Sequence, residues 1–258
     1  MKNTFLLNTK AEFWKTKGTT AAWLTILSAA FLPAINVLVL LNRPDVFIPK
    51  IHHDPWLILF YMIWKSVAAV VLPVFVIIIN NIIVQVEYRN NTWKQVYTSP
   101  RTYLDIFFSK FIVVHTYVLF FFILITLFTI LAGYAVSLFY SGYLFSSHPF
   151  RFNAMFVVIT RVYAGILGVT AIQYWLSMRF RNFTTSLGVG LALWIAGLLL
   201  MDWDKIVYYP YMYSSLMFFL GSPGSKGTIS LLLMNAFACF AMAVFLGFRN
   251  ILMQKEKG

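Results

Sequence analysis

The sequence is poor in acidic residues and in charge of either sign. Its 258 residues include only 8 Asp and Glu, and all charged residues together make up 11% of the chain. A soluble domain carries about 25% charged residues, so the composition excludes an ordinary soluble fold. No acidic residue lies clearly inside an apolar stretch, which argues against the carboxylate proton relay of a proton-coupled transporter.

Cysteines and clustered polar sites are also scarce. The single cysteine, Cys239, excludes an intrachain disulfide. His52, His53 and Asp54 are adjacent, but neighbouring side chains diverge and no cage of ligands converges there, so we interpret them as loop residues. Residues 221–228 read GSPGSKGT and lack the spacing of a phosphate-binding loop. The sequence therefore predicts no catalytic, metal or cofactor-binding residue in this chain, and no enzyme activity of its own.

Long apolar stretches make up most of the sequence, which is 60% hydrophobic. About 20 such residues cross a hydrocarbon core as a helix, whereas the strands of a membrane barrel are half as long and alternate polar with apolar residues. We therefore predict an all-α, polytopic membrane protein that forms a single transmembrane domain. Its six transmembrane helices are expected at residues 20–41, 66–86, 111–139, 152–176, 185–201 and 228–248.

Two segments outside these six spans also have a membrane character. In residues 4–17, Phe5, Leu6, Phe13 and Trp14 can share one face, which predicts an amphipathic helix in the plane of the interface. Residues 206–222 are too aromatic for a solvated loop and are interrupted by proline. We predict that they re-enter the outer leaflet before the last span.

The apolar run from Trp56 to Val86 is too long for one straight crossing. Two arrangements are open. In one, the helix tilts and Lys65 extends its ammonium outward; in the other, residues 56–64 lie along the outer interface.

The net charge of +12 reflects topology and not nucleic-acid binding. When Lys and Arg are sorted by alternating connections, thirteen fall on one side and five on the other, with Lys65 and Arg161 within or beside spans. Positive residues accumulate on the cytoplasmic side. Both termini and the connection over residues 87–110 are therefore predicted to be cytoplasmic.

That connection reads EYRNNTWKQVYTSPRTYLDIFFSK and carries six charges between two apolar stretches. Residues 87–100 can form a short amphipathic helix that Pro100 ends. From the residues alone, two interpretations stand equally. The helix docks into a groove on a soluble partner, or the segment is a basic loop held at anionic lipid.

The same residues closely resemble the first cytoplasmic loop of type-2 ATP-binding-cassette (ABC) exporter permeases. In that family an acidic residue closes the second span, "N-T" starts a coupling helix, and "P-R" and then a lysine open the third span. The resemblance extends more loosely over the whole chain, and it implies the following ATPase-coupling residues: Glu87, Arg89, Asn91, Thr92, Trp93, Lys94, Tyr97, Pro100 and Arg101.

The resemblance further implies a permease subunit that exports an amphipathic or hydrophobic substrate from the bacterial inner membrane. Two copies of a separate ATPase subunit would bind ATP and Mg, and the permease would form a homodimer or pair with a similar permease. Polar residues within spans should face protein or a water-filled cavity, which makes Asn80, Asn81, Arg161 and Gln173 candidates for the substrate pathway. The alternatives are a gradient-driven secondary transporter and a non-transporting membrane anchor or sensor.

Overall fold

The computed structural model describes residues 2–51, 53–89, 102–180, 182–220 and 226–255. These residues form helices joined by turns, and no strand occurs among them. Five of the described helices are long and apolar enough to cross a membrane. The prediction of an all-α, polytopic membrane protein is confirmed.

The N-terminal region forms a helical corner. Helix α1 (Lys2–Thr16) is followed by Gly18, whose φ of +72° only glycine adopts without strain. Thr19 then caps α2 (Thr20–Asn42) by accepting a hydrogen bond from the amide of Ala21. The predicted interfacial helix and the predicted first span are therefore separate helices joined at a fixed turn.

The next part of the chain is also helical. The connection after α2 contains α3 (Pro44–Ile51). After Asp54 caps it, α4 (Pro55–Ser66) continues through a π-helical segment, Val67–Val71, into α5 (Leu72–Arg89). The result is one apolar helix of 34 residues over Pro55–Tyr88. The sequence leaves two arrangements open for residues 56–64. In the structure they belong to this same helix, and Trp56 and Trp64 are buried in protein.

Carbonyl groups of the π-helical segment accept hydrogen bonds from side chains outside the α4–α5 helix. The Ala68 carbonyl accepts hydrogen bonds from the hydroxyls of Ser214 and Ser215, at 2.9 and 3.3 Å. The Ala69 carbonyl accepts one from Trp194 Nε1 at 3.1 Å. Buried carbonyls need such partners, so the distortion also holds the segment that contains Ser214 and Ser215 against the α4–α5 helix.

The remaining long helices are α6 (Tyr103–Phe139), α7 (Phe152–Arg179), α8 (Phe183–Leu199) and a last helix over Lys226–Lys255. At 1.5 Å per residue, the 37 residues of α6 extend over about 55 Å, well beyond a hydrocarbon core of about 30 Å. Helix α6 begins at Tyr103, eight residues before the predicted third span. Helix α8 has 17 residues, fewer than the five helices above, and its crossing of the membrane stays a prediction.

The segment before the last helix, which we call the outer segment after its predicted location, consists of two 3-10 turns, Ile206–Tyr208 and Pro210–Met212, followed by α9 (Tyr213–Phe219). Most of its side chains are buried against the α4–α5 helix, α7 and α8. The glycine-rich residues 221–225 lie outside the described part. The predicted re-entry into the membrane stays a prediction, while the compact folding of this segment is observed. The last helix is α10 (Lys226–Lys255), and it packs mainly along α7.

Candidate functional site

The connection between α5 and α6 is the segment that the sequence singled out. Helix α5 continues through Arg89, and α6 starts after Thr102, whose hydroxyl accepts a hydrogen bond from the Asp105 amide at 3.1 Å. Residues 90–101 lie outside the described residues, and so does the side chain of Arg89. The coupling helix over residues 87–100 therefore stays a prediction, as do the roles of Asn91, Thr92, Trp93, Lys94, Tyr97, Pro100 and Arg101.

Among the described residues, the two ends of this connection meet in a cluster of four charged side chains: Glu12, Lys15, Glu87 and Lys110. We call this group the charge cluster. Lys110 Nζ donates hydrogen bonds to Glu12 Oε2 at 2.5 Å and to Glu87 Oε1. Lys15 Nζ donates to Glu12 Oε1 at 2.6 Å and to Glu87 Oε1 at 3.3 Å. Three helices are thereby joined: α1, the end of α5 and the start of α6.

The charge cluster is largely withdrawn from solvent. Glu87 is 1% exposed, Lys110 2% and Glu12 5%. Among the described residues, two carboxylates face two ammonium groups, and such pairing is the condition under which buried ions are tolerated. Removing one partner of a buried pair typically costs about 3–5 kcal/mol, because a charge is left without compensation. The packing of all three helices is thus expected to depend on the three buried members, Glu12, Glu87 and Lys110.

The pKa values of Glu12 and Lys15 are shifted in the directions that keep both side chains charged. Burial alone would raise the pKa of Glu12, but the charges and hydrogen bonds of Lys110 and Lys15 outweigh it, and the pKa lies below its usual value. Burial alone would lower the pKa of Lys15, yet Glu12 and Glu87 raise it overall. Both groups are therefore charged at neutral pH.

Helix α1 docks through a polar face. Asn8, Glu12 and Thr16 are spaced four residues apart and are buried against the protein. Leu6 and Trp14 are exposed on the other side. Of the four apolar residues predicted to share one face, Leu6 and Trp14 are exposed, whereas the ring of Phe13 stacks on Tyr117 of α6. Helix α1 therefore packs on the protein through these polar residues and Phe13.

A second set of contacts fixes the end of α5 to the end of α7. Gln85 Nε2 donates to the carbonyl oxygens of Ser177 and Phe180, at 3.1 and 2.8 Å. The Tyr88 hydroxyl donates to the Met178 carbonyl at 3.0 Å. The last carbonyl groups of α7 have no partner within their own helix, so α5 completes that end. The end of α5 is therefore hydrogen-bonded both to α1, through Glu87 and Lys15, and to the end of α7.

The residues proposed for a substrate pathway do not form one group. Asn80 and Asn81 are fully buried in α5, and their amide nitrogens donate back to the carbonyl oxygens of Val76 and Ile77. Gln173 is also fully buried. It donates to the Ser186 carbonyl at 3.2 Å and accepts from the Tyr211 hydroxyl at 3.4 Å. This side chain holds α7, α8 and the outer segment together.

Arg161 is the fourth residue proposed for the pathway. It lies within α7 and is half-buried. Its role in a substrate pathway stays a prediction.

Sequence reasoning missed Glu12 altogether. One signal was present, because Glu12 is the first acidic residue of the chain and the next is Asp45. An isolated carboxylate in a basic segment indicates a specific partner. The partner itself, Lys110, lies 98 residues away, and no local pattern connects the two.

The fold and the site together define an integral membrane protein in which a short connection is anchored at both ends by buried ions. A family model described as ABC-2 family transporter protein matches residues 9–197, from within α1 into α8. The match covers well over half of the chain, which therefore belongs to this family of ABC transporter membrane components. Comparison with curated proteins and with solved structures gave no match.

Proposed function

We propose that this protein is the permease subunit of an ATP-driven exporter, and that its α5–α6 connection receives the movement of a separate ATPase. Membership of the ABC-2 family supports the transporter component and the partner ATPase. The proposal adds the exporting direction, an amphipathic or hydrophobic substrate, and ATP and Mg held entirely by the partner. Two ATPase copies act on two permease chains, either identical or similar.

The observation that carries this proposal is the charge cluster at the two ends of the connection. Glu87 and Lys110 are 23 residues apart in sequence and form a buried ion pair. Because the two ends of the connection are held together, a force that the ATPase exerts on the connection would be transmitted to α5 and α6. Rigid-body movement of packed helices is a common way of converting ligand binding into a larger change.

Glu87 has a definite part in this proposal. A carboxylate at the end of a span can either fix the connection by charge-assisted hydrogen bonds or pair with a basic group on the ATPase. Its burial and its bonds to Lys110 and Lys15 support the first use. We therefore treat Glu87 as a positioning residue, and we assign the contact with the ATPase to the coupling helix, with Trp93 as its central side chain.

The proposed orientation places both termini, the charge cluster and the connection in or against the cytoplasm of a bacterial inner membrane. The unequal distribution of Lys and Arg supports this orientation. Asn80, Asn81 and Arg161 stay candidates for the substrate pathway. Gln173 is proposed to support that pathway indirectly, because its polar atoms already bind Ser186 and Tyr211.

The test is ATP hydrolysis by the purified complex in liposomes. Trp93→Ala should leave the permease folded and inserted while at least halving co-purification of the ATPase or substrate-stimulated hydrolysis. Trp203→Ala is the matched control, because Trp203 is a half-exposed tryptophan in the bend after α8, at the opposite end of the molecule. If both variants behave like the unsubstituted protein, the connection is only a basic loop at the lipid surface. ATP hydrolysis by the permease alone would equally contradict the proposal.

A further inference from the structure

A cavity of about 300 Å³ lies in the corner between α1, α2 and α6, beside the turn at Gly18. Its walls are apolar, with Phe13 contributed by α1, Ile26 by α2, and Phe120 and Leu124 by α6. This volume lies at the lower end of the range for sites that bind small molecules. Ile26 and Phe120 are also partly exposed, so the cavity opens sideways, toward the bilayer.

The polar groups that line this cavity are already satisfied within the protein. The Thr25 hydroxyl donates to the Ala21 carbonyl at 2.8 Å, and the Tyr117 hydroxyl donates to the Thr16 carbonyl at 3.0 Å. Neither hydroxyl hydrogen is left for a polar ligand. The interior of the cavity therefore suits a hydrocarbon chain and does not suit a sugar, a peptide or an ion.

The mouth of the cavity carries one cation, Lys17. This residue is exposed at the end of α1, with its Nζ 4.6 Å from the centre of the Trp14 ring. Within the described residues Lys17 forms no ion pair, whereas its neighbour Lys15 is held by two carboxylates. A cation beside an apolar cavity at a membrane surface is complementary to a ligand with an anionic head and an apolar tail.

We propose that this corner binds one anionic phospholipid, with an acyl chain in the cavity and the phosphate at Lys17. The bound lipid would fill the space between α1 and the long helices. It would thereby place a lipid of the surrounding leaflet against α1, the helix that carries Glu12 and Lys15 of the charge cluster. The proposal requires only that the protein lies in a membrane. It does not depend on an ATPase, on ATP or on the direction of transport.

The experiment uses the full chain in nanodiscs without any partner. Phosphatidylglycerol and phosphatidylcholine probes carry the same photoreactive acyl chain at equal mole fraction, and the labelled peptides are quantified by mass spectrometry. A surface lysine favours anionic lipid by about fivefold, so the phosphatidylglycerol probe should label the peptides around residues 22–26 and 117–124 about fivefold more strongly. Equal labelling by the two probes would overturn the proposal.

Three variants separate the head-group contact from the acyl-chain contact. Lys17→Glu should abolish the preference for phosphatidylglycerol. Lys10→Glu, the same charge change at an exposed position two turns earlier in α1, should keep it. Ala22→Trp, which fills the cavity, should reduce labelling by both probes. Retained preference in Lys17→Glu, or uniform labelling of all lipid-facing helices, would each refute a specific lipid site.

Discussion

Replacing Lys110 with methionine should destabilise the protein more than any exposed charge removal of the same kind. Lys110→Met removes the ammonium group that is hydrogen-bonded to the buried carboxylates of Glu12 and Glu87, and leaves the contacts of these carboxylates with the half-exposed Lys15 in place. Loss of one member of a buried ion pair costs about 3–5 kcal/mol. For a chain of this size, 1 kcal/mol corresponds to about 2–4 °C in Tm. The expected decrease in Tm is therefore about 6–20 °C in detergent at pH 7.5.

Two comparisons make this prediction specific to the charge cluster. Lys10→Met removes a cation from an exposed position of α1 and should change Tm by no more than about 2 °C, since exposed charges contribute little. The deficit of Lys110→Met should shrink at about pH 5.5, because the charge and hydrogen bond of Lys110 help to hold the pKa of Glu12 below its usual value, and without Lys110 this carboxylate binds a proton more readily. If Lys110→Met and Lys10→Met unfold at the same temperature at both pH values, the buried ions do not hold these helices together.

Two further predictions concern acid stability and helix packing. The pKa of Glu12 is lower in the folded protein than its usual 4.5, so its stabilising effect is complete above pH 4.5 and is lost as the pH falls through the lowered pKa. The Tm difference between the unsubstituted protein and Glu12→Gln should therefore be constant above pH 5 and should disappear in stronger acid. A Tm difference that increases in acid would contradict this prediction. Gly165→Ala should destabilise the protein by about 1–3 kcal/mol, because an added Cβ would lie 2.9 Å from the Tyr213 carbonyl group. As a control, the added Cβ of Gly188→Ala meets nothing within 4 Å, and this variant should be slightly more stable. Equal Tm values for the two alanine variants would show that α9 does not pack on α7 as described.

The helices themselves could be predicted from the sequence because lipid leaves the backbone few choices. An apolar stretch in a bilayer must satisfy its own hydrogen bonds, so each long stretch predicts a helix whatever the tertiary structure. The ends were less predictable. Helix α6 begins at Tyr103 and not at residue 111, because its first turns carry polar residues that are stabilised by burial against other helices, such as Ser109 and Lys110.

The details that position the candidate site depend on contacts between residues far apart in sequence. Lys110 was visible only as a residue that opens a span, and its pairing with Glu12 requires the interfacial helix to fold back onto α6. The π-helical segment is similar, because its Ala68 carbonyl is satisfied by Ser214, 146 residues later. Neither contact has a periodicity or spacing that a single sequence displays. The motif in the connection was recognisable, however, because consecutive residues carry it.

The contact between the coupling helix and an ATPase is the central claim, and cross-linking at position 93 tests it most directly. A photoreactive amino acid replaces Trp93 in cells that produce the full transporter, and the same residue placed at Trp203 is the control. The account predicts that position 93 captures a protein whose sequence contains a phosphate-binding loop, G-x-x-x-x-G-K-[ST], and that position 203 does not. Adducts with lipid alone at position 93, or capture of the same ATPase from both positions, would contradict it.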